Sequence, residues 1–167
     1  MTALSTSERP PSPNPLDTME EIVASNEWTH ERMSDWEMVA GVAGQWCDYR
    51  LHCAWSDDLS ALHFSCALDI RVPVGRQAAV NELLALINGK LWLGHFDLAN
   101  EDRMPTFRHT VLLRGQRGAT VEQLEDLLDA AIQECERHYP AFQFVIWGGR
   151  SPDEAVQASM LEPMGEA

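Results

Sequence analysis

Alternation of apolar and polar residues is strongest in the middle of the chain. From 47 to 55 the odd positions are apolar, and from 61 to 72 the even positions are apolar. A period of two is typical of strands with one buried face. Residues 57–60 supply turn chemistry between the two segments. The pattern therefore predicts a β-hairpin, and one register of this hairpin places Trp55 opposite Leu62.

Two later segments follow a helical period instead. Residues 76–91 place their apolar side chains along one stripe, which predicts an amphipathic helix. A second helix opens at Thr120, because Gln123 three residues on completes a capping box. Pro140 is predicted to interrupt that helix, since proline lacks the N–H of the helical hydrogen bond.

The remaining segments carry weaker signals. Asp17 followed by Glu20 predicts the start of a short first helix, and 152–161 predicts a last one. A weak alternation begins at Trp36, whereas the polar stretch 28–34 is left unassigned. A second hairpin is predicted from 92 to 114, turning through 100–105, with Trp92 among its inward residues. The segment 141–147 is apolar on all sides, so its period does not decide between strand and helix.

These elements indicate an α+β fold in which helices pack on an antiparallel sheet, in the order α-β-β-β-α-β-β-α. Residues 1–16 are rich in Ser and Pro and are predicted to form a flexible arm. Residues 17–167 are predicted to form a single domain, as the length suggests.

Charge narrows the classes of partner. Twelve basic residues against 26 acidic ones give a net charge of −14. Such a field repels nucleic acid and anionic lipid, and it favours protein partners with basic patches. There is no apolar run near the ~20 residues that span a bilayer and no signal-peptide pattern at the start. We therefore expect a cytoplasmic protein with reduced cysteines.

A zinc site is the first chemical hypothesis that the residues raise. Cys47, His52, Cys53, His63 and Cys66 lie in the first hairpin. Parity argues against such a site, because the cysteines fall on the inward face and the histidines on the outward one, whereas zinc ligands must converge. Cys135 falls on a separate helix. We interpret the cysteines as core residues and expect no metal, no cofactor and no catalytic residue.

His95, Asp97 and Arg108 form a second candidate group, because all three project from the outer face of the second hairpin. A carboxylate beside a histidine can tune its protonation, so a small acid/base or ligand site is one hypothesis. A cross-strand network that holds the hairpin in register is the other.

Aromatic residues suggest a contact surface. Trp46 is predicted on the polar face of its strand, with Arg50 and His52 beside it. Phe142 and Trp147 belong to the segment that is apolar on all sides. Because exposed aromatic and Arg side chains often mark interfaces, we predict these five residues as partner contacts.

Several short sequences together resemble one family. They are NGKLWLGHFD at 88–97, FRH at 107–109, ECER at 134–137, YPAF at 139–142, WGG at 147–149 and GEA at 165–167. In combination they resemble the YbjN-domain family of the alphaproteobacterial type, over the chain from Trp36 to its C-terminus.

The resemblance implies a fold similar to that of type III secretion chaperones, with 141–147 helical. It also implies a regulator of sensory transduction or stress responses without a known catalytic residue. Chaperones of similar fold are small, acidic and usually dimeric, and they bind partner polypeptides. The leading hypothesis is therefore a non-enzymatic protein-binding regulator or chaperone-like adaptor in the cytoplasm, acting as a homodimer. The alternative is a small-ligand-binding or weakly enzymatic domain that uses His95, Asp97 and Arg108.

Overall fold

The computed structural model describes residues 13–98 and 101–161, which form a six-stranded antiparallel sheet and four α-helices. The elements in chain order are α1 (Pro15–Ser25), β1 (Thr29–Ser34), β2 (Glu37–Ala43), β3 (Asp48–Ser56), β4 (Ala61–Leu68), α2 (Gln77–Asn88), β5 (His95–Leu98), β6 (Pro105–Leu112), α3 (Val121–Ile146) and α4 (Pro152–Leu161). A single 3₁₀ turn, Val74–Arg76, precedes α2. The predicted α+β class with an antiparallel sheet is confirmed.

The strands lie in the order β1-β2-β3-β4-β6-β5. The predicted hairpin is β3 and β4, and its register is the one that pairs Trp55 with Leu62. β1 adds a strand to the predicted order. Its residues are almost all exposed, so it has no alternating pattern by which the sequence could reveal it. It pairs with β2 along the sheet edge, with Thr29 opposite Gly41.

Only one face of the sheet is buried. Alternate residues of the central strands, such as Leu51 in β3 and Phe64 in β4, are almost completely buried, whereas their neighbours are half-buried or exposed. α1, α2 and α3 pack on the buried face, and α4 packs on α2 and α3. Each large apolar side chain buried there contributes roughly 1.5–3 kcal/mol to folding. This inner face forms the core.

The first helix begins earlier than the sequence suggested. Asn14, not Asp17, is its N-cap, and the Asn14 side chain accepts a hydrogen bond of 3.0 Å from the N–H of Leu16. Pro15 occupies the first turn, where its missing N–H has no cost. Leu16 is buried in the core, so the ordered chain includes the end of the predicted arm. Residues 1–12 of that arm lie outside the described residues.

The long helix α3 starts as predicted and ends later than predicted. The capping box of Thr120 and Gln123 is present. The prediction that Pro140 interrupts the helix is wrong, because α3 continues to Ile146. A proline inside a helix costs about 3 kcal/mol. The residues after it, including Phe142 and Val145, are completely buried, and their burial offsets that cost.

The inward placement predicted for Trp92 is also wrong. Its side chain is fully exposed in the loop between α2 and β5. Gly94 ends the alternation there with a φ of +66°, and a Cβ at this position would lie 2.3 Å from the Phe107 ring. The backbone therefore turns at Gly94, and strand parity does not extend back to Trp92.

The β5 edge of the sheet is closed by a side chain. The amide of Asn88, the last residue of α2, donates to the carbonyl of Phe96 at 2.9 Å and accepts from the N–H of Phe96 at 2.7 Å. Asn88 thus takes the place of a neighbouring strand. Unpaired backbone N–H and C=O groups at a sheet edge can pair with another chain. The Asn88 side chain occupies the two such groups of Phe96.

We expect Asn88→Ala to lower the free energy of unfolding by about 1–3 kcal/mol, because it removes two hydrogen bonds at a half-buried site. Urea denaturation followed by circular dichroism measures the change. Asn81→Ala, on the exposed side of the same helix, is the matched control and should change it by less than about 0.5 kcal/mol. Equal effects of the two substitutions would contradict the edge-closing role.

Candidate functional site

The outer face of the sheet, opposite the helices, is the largest surface on which predicted site residues meet. It consists of the outward side chains of all six strands, and none of the described helices covers it. Its centre is lined by small residues, among them Gly41, Ala54, Ser65 and Ala67. The centre of the outer face is therefore recessed, and longer polar side chains surround it.

One row of this face crosses every strand. His95 lies opposite Arg108, Arg108 opposite Ser65, and Ser65 opposite His52. The row continues from His52 through Val39 to Glu31. It joins members of two candidate groups that the sequence left apart, His52 of the predicted contacts and His95 and Arg108 of the trio. Arg50 and Asp97 lie in the next row, with Ala67 and Thr106 between them.

Two residues of the trio form an ion pair, and the third lies beside them. The Nε atom of Arg108 lies 3.2 Å from the Oδ2 atom of Asp97 on the neighbouring strand. His95 is the direct cross-strand partner of Arg108. Because the Asp97 carboxylate is half exposed, this pair contributes at most about 1 kcal/mol. The contacts link β5 to β6 across the outer face.

Two further histidines lie on the same face. The Nε2 atom of His52 is 3.8 Å from the Oε1 atom of Glu37, and the Nδ1 atom of His63 is 3.0 Å from the hydroxyl oxygen of Thr110. Partial burial lowers the pKa of His63 below its ordinary value, and the positive charges of Arg108, His52 and His95 lower it further. Both effects therefore disfavour the protonated form of His63.

An open cavity of about 520 Å³ lies at the β1–β3 side of the outer face. Val39 and Gly41 belong to its lining. Three acidic residues, Glu31, Asp48 and Asp69, and one basic residue, Arg50, also line it. The balance of charge in the cavity is negative, so it suits a cationic group. No local pattern in the sequence indicated this cavity, because its walls come from three strands.

The tryptophans predicted as contacts lie elsewhere. Trp46 is in the turn before β3, and its ring stacks on Tyr139 of α3 with the ring centroids 6.3 Å apart. Its side chain is thus turned toward the helices, not toward Arg50 and His52. Trp147 is the C-cap of α3 and is 64% exposed.

Phe142 is not a contact residue, and that prediction is wrong. Its side chain is completely buried in the core, with its ring centroid 5.7 Å from that of Phe96. Five of the six residues of 141–146 are apolar because α3 packs between the sheet and α4, which buries much of its circumference.

Two cysteines of the first hairpin are separated from its histidines as strand parity predicted, whereas the third, Cys47, is half-buried in the turn before β3. Cys53 and Cys66 are buried on the inner face, whereas His52 and His63 are half-buried on the outer one. Over residues 13–98 and 101–161, no three His, Cys, Asp or Glu side chains converge as metal ligands would.

In the same part of the chain, no helix has the length and apolar character needed to cross a membrane.

Comparisons with known proteins agree on one family. The YbjN family, described as "Putative bacterial sensory transduction regulator", matches residues 15–144. The crystal structure of YbjN from E. coli is similar with a TM-score of 0.51 and 12% sequence identity, covering 80% of this chain and 89% of that chain. At this identity the similarity concerns the fold alone. No curated protein matches the chain.

We expect Arg108→Met to raise the pKa of His63, because it removes a neighbouring positive charge and releases the Asp97 carboxylate. Two-dimensional NMR of the imidazole resonances against pH measures the shift. Arg137→Met, at an exposed position of α3, should leave the titration of His63 unchanged. An unchanged or lower pKa of His63 in the Arg108 variant would contradict the arrangement of the outer face.

Proposed function

The chain belongs to the YbjN family, and from this membership we propose that it is a non-enzymatic cytoplasmic regulator that acts by binding a partner protein on the outer face of the sheet. The family description names a regulator rather than an enzyme, which supports the first part of the proposal. The second part, binding of a partner protein, is supported by a single observation, the uncovered outer face of the sheet.

The size of the outer face suits a protein partner. Six strands about 4.8 Å apart span about 24 Å, and the eight residues of β4 extend about 26 Å. The resulting area is on the order of 600 Å², compared with about 800 Å² per partner in a standard interface. A polypeptide segment or a small domain can therefore cover this face, whereas a small ligand would cover little of it.

Charge points to the chemistry of the partner. The chain carries a net charge of −14, and the cavity on the outer face places Glu31, Asp48 and Asp69 around one Arg50. A partner segment with Lys or Arg side chains complements both the cavity and the overall field. The partner that we propose is accordingly a protein with a basic segment, one basic side chain of which enters the cavity.

Among the residues predicted as contacts, Arg50 and His52 belong to this docking surface. Trp147 is exposed at the end of α3 and Trp46 is partly exposed in the turn before β3. These two tryptophans would serve a second contact zone on the helical side. Phe142 is excluded from either zone because it is buried.

The alternative is a ligand or enzyme site at His95, Asp97 and Arg108. The Arg108 guanidinium is already paired with Asp97 at 3.2 Å, so a ligand would have to compete with that ion pair. The geometry gives this alternative less support than it gives a protein-binding surface.

We expect Glu31→Lys to weaken partner binding at least tenfold, because it reverses a charge in the cavity and places a cation against the basic segment. Affinity purification of the tagged protein from its own organism identifies a partner recovered near stoichiometry, and titration of the two purified proteins measures the affinity at two salt concentrations. Glu82→Lys, the same change at an exposed position of α2, is the matched control and should bind as the unmodified chain does. Equal affinity of both variants would contradict the docking surface.

We also propose that the chain forms a homodimer, and the fully exposed Trp92 supports this. Burial of an aromatic side chain of this size removes about 150–250 Å² from water. We expect Trp92→Ser to shift the protein toward monomer in sedimentation equilibrium. Leu59→Ser, at an exposed position of the β3–β4 turn, should leave the mass distribution unchanged. A monomeric unmodified chain at the highest concentration reached would contradict the dimer.

A further inference from the structure

Two cysteines far apart in sequence meet inside the core. The sulfur atoms of Cys66, in β4, and Cys135, in α3, lie 3.6 Å apart. Both side chains are completely buried. The sequence placed them on separate elements as independent core residues, and the packing of α3 on the sheet brings them into contact.

The contact is directed as well as close. The Cys135 sulfur also lies 3.9 Å from the carbonyl oxygen of Cys66, so the thiol of Cys135 points at the backbone and the sulfur of Cys66. A disulfide requires a distance of about 2.0 Å, and the sulfurs would need to approach by about 1.6 Å. That approach requires rotation about the side-chain bonds, a shift of α3 toward β4, or both.

The pKa is raised for the thiols of Cys47, Cys53 and Cys135. Cys53 is buried in β3, and burial raises its pKa to about 12. Cys47 is the least buried of the four cysteines, and partial burial raises its pKa to about 11. The hydrogen bond to Cys66 and burial raise the pKa of Cys135 well above its ordinary value. The thiolate form of Cys135 is therefore scarce at neutral pH, so its oxidation should be slow there and faster at higher pH.

We propose that Cys66 and Cys135 form a modification site that a hydroperoxide oxidises to a disulfide joining β4 to α3. The thiolate of one cysteine attacks the peroxide, the O–O bond breaks, and a sulfenic acid and an alcohol or water are produced. The second thiol then attacks the sulfenic sulfur, so that the S–S bond forms and water leaves. Two thiols lose two electrons and two protons in all, and the peroxide is reduced.

The disulfide would close a loop of 69 residues between the sheet and its main helix. A disulfide that closes a loop of this length lowers the conformational entropy of the unfolded chain. For a domain of this size, the melting temperature should therefore rise by about 5–10 °C. The site is independent of the outer face, because both sulfurs lie in the core on the opposite side of the sheet.

The test is to treat the purified full chain with hydrogen peroxide at pH 7 and at pH 9, block remaining thiols, and map the peptides by mass spectrometry. We expect a peptide pair linked through Cys66 and Cys135, formed faster at pH 9, together with a rise in melting temperature that dithiothreitol reverses. Cys53→Ala, a change at another buried cysteine, should still form the link, whereas Cys135→Ala should not.

Two results would overturn the proposal. One is oxidation confined to Cys47, as sulfinic acid or as a bond to another partner, with Cys66 and Cys135 recovered as free thiols. The other is a Cys66–Cys135 link that appears only after the chain has unfolded, as judged by circular dichroism during the reaction. The peptide map of the unmodified chain decides between these outcomes even if the alanine variants fold poorly.

Discussion

The structure depends on the burial of one sheet face only. Inward side chains of the central strands, such as Tyr49 and Phe64, pack against α1, α2 and α3, and this packing requires that apolar residues alternate in register. A slip of one residue would turn the whole inner set to water, so the register is strongly specified. The same register aligns His52, Ser65 and Arg108 on the opposite face. The core and the proposed docking surface are therefore consequences of one pairing.

Local patterns predicted the parts of the fold that depend on near neighbours. Alternation predicted the hairpin of β3 and β4, and a capping box predicted where α3 begins. The errors arose where a distant contact outweighs a local rule. α3 continues past Pro140 because the residues beyond it are buried. Trp92 does not follow the strand alternation because the chain turns at Gly94. β1 had no pattern to detect, since both of its faces are largely exposed.

The candidate site was predictable residue by residue but not as a surface. Strand parity assigned Arg50 and His52, and separately Arg108, to outward positions. Their grouping depends on the pairing of β4 with β6, which lie more than 30 residues apart and leave no joint signal in the sequence. The contact between Cys66 and Cys135 was hidden for the same reason. Tertiary packing, not local composition, determines which polar or reactive residues meet.

The claim that the outer face binds a partner protein is tested most directly by photo-crosslinking in the native organism. A photoreactive amino acid at position 65, in the centre of the outer face, would report contacts there, and the same group at position 81, on the exposed side of α2, would report background. The account predicts a cross-link from position 65 to one protein, through a segment rich in Lys or Arg, and none to that protein from position 81. Cross-links from position 81 alone would contradict it.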